Sequence, residues 1–153
     1  MQGSGRLTLV PDDGGGHGPG DAAEDGFAVL LEIWQSATAE LVREMPPGQL
    51  NALLIMDKAG RVSLARLAGA LSASLPATTG ICQGLEAAGL VRRYRSVSGQ
   101  GVIMISVTAS GRRLVARIRE QRRAVLDHVL ESLSPVGRES LTRALSEFAA
   151  GSA

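Results

Sequence analysis

Residues 85–111 read LEAAGLVRRYRSVSGQGVIMISVTASG, and this stretch decides the fold. Up to Leu90 the apolar residues follow the spacing of a helix, and after Leu90 they alternate as in a strand. Residues 91–97 and 102–107 are therefore predicted to be two strands, joined by a glycine-containing turn at residues 98–101. Thr108 is a residue type that caps helices, so a long helix should follow this hairpin.

A long amphipathic helix is predicted near the N-terminus. Asp21 and Glu24 have the spacing of a capping box, and the helix should end before Pro46 and Pro47. Its apolar stripe consists of Phe27, Leu30, Leu31, Trp34, Thr38 and Leu41. Residues 1–22 are rich in Gly, Pro and Asp and are predicted to form a disordered acidic tail.

Three shorter helices are predicted between these prolines and the hairpin. One begins at Pro46 and ends at Gly60, the next is capped by Ser63, and the third begins near Leu75 and ends at Gly89. The last two are short and are joined by a few small residues, which is typical of a helix-turn-helix.

Two helices are predicted after the hairpin. The first carries an apolar stripe and starts at Thr108, and the second opens at Ser134 and Pro135. The predicted fold class is therefore mainly α with a small β-hairpin wing, a winged helix-turn-helix flanked by further helices.

Composition and motifs argue against catalysis, and we expect a cytoplasmic protein. The chain has 153 residues, one cysteine and 3% aromatic residues, and no apolar run reaches the ~20 residues of a membrane span. No nucleophile and base pair, metal-ligand spacing, phosphate-binding loop or dinucleotide motif can be assembled. We therefore predict no enzyme activity, no cofactor, no metal site and no membrane contact. Cys82 is interpreted as a small buried hydrophobe rather than a redox sensor.

The charge is divided unevenly along the chain. The net charge is +1, but the first 26 residues carry −4 and the remainder +5. Residues 57–123 hold twelve Lys or Arg against three acids, a net charge of +9. A basic window of this kind is typical of polyanion binding, and the alternative interpretation is a solvated set of helix faces.

Two motifs within this order of elements carry a family resemblance. The strings LEAAGLVRR at residues 85–93 and VTASG at residues 107–111, with the helices around them, resemble the MarR (multiple antibiotic resistance regulator) family. The resemblance implies a homodimer that binds double-stranded DNA and represses transcription. It also implies a recognition helix in the major groove and, as in many relatives, a small-molecule effector that changes DNA affinity.

The resemblance also divides the chain into parts. Residues 23–45 are expected to form an N-terminal dimerisation helix, residues 46–110 the DNA-binding winged helix-turn-helix, and residues 111–150 the C-terminal dimerisation helices. The side chains assigned to dimerisation are Phe27, Leu30, Leu31, Trp34, Leu141, Leu145 and Phe148.

The DNA-binding residues are assigned by type and position. The residues expected nearest the bases of a pseudo-palindromic operator are Ser74, Pro76, Ala77, Thr79 and Gln83. The residues expected on phosphates, because guanidinium groups match phosphate oxygens, are Arg61, Arg66, Arg92, Arg93 and Arg95.

The sequence departs from the family pattern at positions that matter for base recognition. The turn reads Gly99-Gln100-Gly101 where relatives carry a wing arginine, and Gly80 and Gly84 stand where relatives often place long polar residues. Since Arg to guanine is the commonest specific contact, we predict modest sequence discrimination. The alternative function is a winged-helix protein-interaction module with weak or non-specific DNA binding.

Overall fold

The computed structural model describes residues 18–96 and 101–151, and the chain forms two compact units, one ending at Glu32 and one beginning at Ile33. In chain order the elements are α1 (Pro19–Ser36), α2 (Pro47–Ala59), β1 (Arg61–Ser63), α3 (Leu64–Leu71), α4 (Leu75–Ala87), β2 (Val91–Arg95), β3 (Ile103–Val107), α5 (Ala109–Ser132) and α6 (Pro135–Gly151). The predicted fold class, mainly helical with a small sheet, is confirmed.

Helix α1 begins and ends earlier than the sequence predicts. It begins at Pro19, within the predicted tail, and the carboxylate of Asp21 accepts a hydrogen bond from the N–H of Gly18 at 2.9 Å. It ends at Ser36, because the N–H groups of Thr38 and Ala39 bond to the carbonyls three residues earlier, at 3.4 and 3.2 Å, and no longer to those four residues earlier. Residues 37–45, assigned to this helix by the sequence, form turns instead.

The hairpin belongs to a three-stranded antiparallel sheet in the order β1-β3-β2. Strands β2 and β3 are the predicted pair, and they run in register from Val91 opposite Val107 to Arg95 opposite Ile103. Strand β1 was not predicted, because three residues between a helix end and a helix cap are too few to show alternation. Residues 1–17 of the predicted tail and residues 97–100 of the predicted hairpin lie outside the described residues.

The core of the second unit draws on four helices and all three strands. Its largest fully buried side chains include Leu53, Met56, Leu67, Leu85 and Ile105. Cys82 is also fully buried among them, and burial raises the pKa of its thiol. The interpretation of Cys82 as a small core hydrophobe is confirmed.

Local chemistry sets the helix starts. The hydroxyls of Ser63, Ser74, Thr108 and Ser134 each accept a hydrogen bond from the backbone N–H three residues later, at 3.1–3.3 Å. These caps satisfy N–H groups that have no partner within the helix. The helix starts predicted at Ser63, near Leu75, at Thr108 and at Ser134 are confirmed.

No side chain of helix α6 is buried in the structure. The structure describes this helix throughout, and none of its residues is buried. Its exposed apolar side chains include Val136, Leu145 and Phe148. Among the helices that the structure describes, none combines the length and apolarity that crossing a bilayer requires.

Candidate nucleic-acid interface

Helix α4 is anchored on one face and open on the other. Thr78, Cys82 and Leu85 are buried and hold the helix against the core. The exposed positions on the other side are Leu75, Pro76, Ala77, Gly80, Gln83 and Ala87. One whole face of the helix is therefore free to enter a groove, as a recognition helix must.

Both threonine hydroxyls at the start of α4 are bonded to the backbone. The Thr78 hydroxyl donates to the carbonyl of Ser74 at 2.9 Å, and the Thr79 hydroxyl donates to the carbonyl of Leu75 at 2.8 Å. The hydroxyl proton of Thr79 is thus engaged, so Thr79 can offer an outside partner its methyl group and a hydroxyl oxygen that only accepts. Ser74, as the cap, has its oxygen engaged by the N–H of Ala77.

The exposed face of α4 is mainly apolar as a result. Within α4, which is described throughout, Gln83 is the one exposed residue with a polar side chain. Leu75, which is not among the residues predicted to contact DNA, is 51% exposed at the first turn. The sequence shows a large apolar residue directly after the cap Ser74, but only the structure shows that its side chain is exposed.

The two glycines of α4 have different surroundings. A Cβ at Gly80 would meet no atom within 4 Å. A Cβ at Gly84 would collide with the side-chain amide of Gln49 on α2. Gly84 therefore faces α2, where the flexible end of the Gln49 side chain would have to move for a larger residue, whereas Gly80 lies on the open face.

Arg92 and Arg93 of β2 lie on opposite faces of the sheet, as strand alternation predicts. Arg93 donates from Nε to a carboxylate oxygen of Glu86 on α4 at 2.7 Å. This hydrogen bond holds the pKa of Glu86 below its usual value, so the pair stays charged near neutral pH. Arg92 donates from Nε to the hydroxyl of Ser106 on β3 at 3.3 Å.

The remaining predicted phosphate contacts are exposed. Arg66 lies on α3, Arg95 ends β2, and Arg61 begins β1. The hairpin closes with a hydrogen bond from the N–H of Ser96 to the carbonyl of Val102 at 2.9 Å. Arg66 on α3 and Arg93 and Arg95 on β2 thus lie on two of the elements that pack beside α4.

The arginines of α5 make internal contacts that the sequence did not reveal. Arg119 pairs with Asp57 of α2 at 2.9 Å, and Arg112 donates to the carbonyl of Val107 at 2.9 Å. The guanidinium of Arg122 lies 4.7 Å from the ring centre of Trp34, a cation–π distance. Some of the arginines within residues 57–123 therefore make contacts that stabilise the fold.

The predicted dimerisation residues lie on α1 and α6. Those classed as exposed are Phe27, Leu31, Leu145 and Phe148, and those partly buried are Leu30, Trp34 and Leu141. Phe27 is 65% and Phe148 75% exposed, which is unusual for aromatic side chains unless another surface covers them. Among the described residues no group of three or more His, Cys, Asp or Glu could hold a metal ion.

Comparison with known proteins identifies relatives by sequence. The model of the MarR family matches residues 45–99. The chain is 26% identical over 103 residues to an uncharacterised HTH-type transcriptional regulator, YfiV, of Bacillus subtilis strain 168. That match covers 67% of this chain and 64% of the relative, so the chain spans slightly under two thirds of the length of this relative.

Solved structures extend the likeness to most of the chain. It is similar to RV1404 of Mycobacterium tuberculosis, with 27% identity, a TM-score of 0.78, and coverage of 85% of this chain and 89% of that one. A MarR family protein of Bacillus stearothermophilus has the same fold, at 23% identity and a TM-score of 0.71, over 85% of this chain and 92% of that one. The matched residues 45–99 include the anchored helix α4 and strand β2.

Proposed function

We propose that this chain is a transcription regulator of the MarR family, whose model matches residues 45–99, that it binds double-stranded DNA as a homodimer on a pseudo-palindromic operator, and that it represses transcription there. The observation that carries this proposal is the open face of α4, with Arg66, Arg93 and Arg95 on the elements beside it. In this arrangement α4 enters the major groove and the arginines hold backbone phosphates.

The exposed apolar side chains of α1 and α6 support dimerisation. Phe27, Leu145 and Phe148 are exposed in the single chain, and a second copy would remove them from water. A dimer places two α4 helices on half-sites about one turn of DNA apart, ~34 Å, and so requires a two-fold symmetric operator.

An effector site is also part of the proposal, and Arg122 supports it. Its Nε is buried without a hydrogen-bond partner among the described residues, beside the ring of Trp34. Buried donors are rarely left unpaired, so a ligand with a carboxylate and an apolar ring suits this place. Trp34 is the single tryptophan, and benzoate added as a probe should quench its fluorescence; no saturable change would remove this site.

The character of α4 specifies how it reads bases. Its exposed face offers Leu75, Pro76, Ala77 and the methyl group of Thr79, and no arginine. In the major groove, apolar groups of this kind contact the C5-methyl group of thymine, whereas guanine is read by long polar side chains. The operator contacted by α4 is therefore rich in thymine at the positions nearest its first turn.

Replacing those thymines by uracil should weaken binding. Uracil removes the methyl group and leaves base pairing intact, and each lost contact is worth ~0.8 kcal/mol, about fourfold in affinity. The operator is first selected from a randomised duplex pool and then titrated with uracil at single positions. Uracil in the flanks of the same duplex is the control and should change nothing.

A matched protein variant assigns the contact. Thr79→Ser removes only the methyl group and keeps the hydroxyl that bonds the Leu75 carbonyl. At the thymine that Thr79 contacts, uracil should lower the DNA affinity of the wild type about fourfold. It should not lower the affinity of Thr79→Ser any further. Full additivity of the two changes at every thymine would contradict readout by Thr79.

The exposed Leu75 also favours a second candidate, a module whose α4 binds a protein partner. Gly80→Arg separates the two, because the space around Gly80 is open. As a DNA-binding protein, the variant should bind duplexes at least about tenfold more tightly and prefer guanine beside residue 80. Unchanged, negligible DNA affinity in both proteins would support the interaction module instead. Titration against the randomised pool at fixed salt provides the measurement.

A further inference from the structure

A cavity of about 250 Å³ lies on the second unit, away from the face of the sheet that packs on α4. Its walls come from the last turn of α2, the sheet and the start of α5. The charged and hydroxyl groups lining it are Asp57, Arg61, Arg92, Ser106 and Arg112. Elements distant in sequence thus bring three guanidinium groups to one concave surface.

Sheet register places two of these arginines together. Arg61 on β1 and Arg92 on β2 both lie opposite Ser106 on the central strand β3. The three residues therefore form one row across the sheet, on the same face. Val62 and Ile105, which follow and precede them by one position, point to the core on the other face.

The three arginines that line the cavity keep most of their hydrogen-bonding capacity. Arg92 uses Nε to donate to Ser106 at 3.3 Å, and Arg112 uses one N–H to donate to Val107 at 2.9 Å. Arg61 is exposed and makes no side-chain hydrogen bond or ion pair with the described residues. Ser106 is only 9% exposed, and its hydroxyl accepts from Arg92 and can still donate its proton.

The cavity also has an unbalanced charge. Asp57 is the one carboxylate in its lining, and it pairs with Arg119 at 2.9 Å. That pair leaves the three lining arginines without a carboxylate of their own. Like charges held around a concave surface favour a bound anion, since field lines are focused there.

We propose that this cavity binds a small phosphate-class dianion, inorganic phosphate or the terminal phosphate of a small ester. Guanidinium forks match phosphate oxygens two at a time, and the Ser106 hydroxyl adds a donor at the floor. The volume is below the ~300–1,000 Å³ of clefts that hold drug-sized ligands, so the ligand is compact.

The position of the site argues for a free anion rather than a DNA phosphate. Arg93, which pairs with Glu86 of α4, lies on the face of the sheet that packs on the recognition helix. Arg92 and Arg61 lie on the opposite face. We therefore assign Arg61 and Arg92 to this anion, although the sequence alone assigned both to the DNA backbone.

Phosphate titration of the full chain tests the site. Inorganic phosphate is added at constant ionic strength, set with chloride, and binding is followed by calorimetry. Saturable binding is expected, and Arg61→Gln and Arg92→Gln should each weaken it at least about tenfold, since each removes a charge-assisted pair. Arg61 has no internal partner among the described residues, so Arg61→Gln should fold normally. Arg123→Gln, an exposed α5 arginine with the same charge change, is the control and should bind as the wild type does.

These outcomes test the phosphate site independently of DNA binding, because the titration contains no DNA. No saturable binding, or equal weakening in Arg123→Gln, would overturn it in favour of diffuse attraction. A second titration uses protein saturated with mixed-sequence duplex. Continued saturable binding supports a separate site, whereas complete loss would show that a backbone phosphate fills the cavity and would overturn the assignment to a small anion.

Discussion

A chain shortened by residues 134–153 is expected to be monomeric and to lose at least ~100-fold in operator affinity, because binding at two linked half-sites becomes binding at one. Helix α6 has no buried residue and exposes Val136, Leu145 and Phe148. We attribute this exposure to a dimer interface that the single chain leaves uncovered. Sedimentation velocity measures the oligomeric state, and duplex titration measures the affinity.

A point variant tests the same dimer interface without deleting the helix. Leu145→Asp places a charge on the apolar side of α6 and should also give a monomer. Ser146→Asp, at the adjacent exposed position, adds the same charge and should leave the dimer intact. A truncated chain that remains a well-folded dimer would contradict the assignment of α6 to the interface.

Gly111→Ala is expected to destabilise the protein by at least ~2 kcal/mol, because overpacking a close contact costs on this scale. A Cβ at this position would collide with the backbone carbonyl oxygen of Leu90 and would lie 2.6 Å from a methyl group of Val107. Thr108 fixes the same junction, since its hydroxyl donates to the carbonyl of Gly89 at 2.7 Å. The backbone cannot move aside as a flexible side chain could.

Gly69→Ala is the matched control for this measurement. It lies in the interior of α3, where an added Cβ would meet no atom within 4 Å. Alanine there should stabilise the protein by ~0.5–1 kcal/mol through helix propensity alone. Urea unfolding gives both values, and equal effects of the two substitutions would show that the Leu90 contact does not constrain position 111.

Features set by local chemistry were predictable from the sequence. Ser63, Ser74 and Thr108 cap helices because a short hydroxyl side chain reaches an N–H three residues away, whatever the tertiary structure. The glycine of the VTASG motif was recognised by resemblance, and its physical reason, the approach of Leu90, required the structure. Strand β1 and the end of α1 at Ser36 depend on pairing and turns with no periodic signal.

The candidate site was predictable in position and less so in chemistry. The residue types on α4 can be read from the sequence. The hydrogen bond from the Thr79 hydroxyl to the Leu75 carbonyl, which occupies the hydroxyl proton, cannot be predicted from it. Gly80 and Gly84 look equivalent in sequence and differ only because Gln49 of α2 approaches one of them. The anion cavity joins residues from Met56 to Arg112, which no local pattern brings together.

The central claim, that α4 and its flanking arginines bind DNA, is tested most directly by titrating the full chain with a mixed-sequence duplex between 50 and 200 mM salt. Three arginines in each protomer, Arg66, Arg93 and Arg95, give a dimer six phosphate contacts, for which a log–log slope of about −5 and a loss of ~10³ in affinity are expected. Absence of binding at 50 mM salt, or an affinity that does not change with salt, would contradict the account.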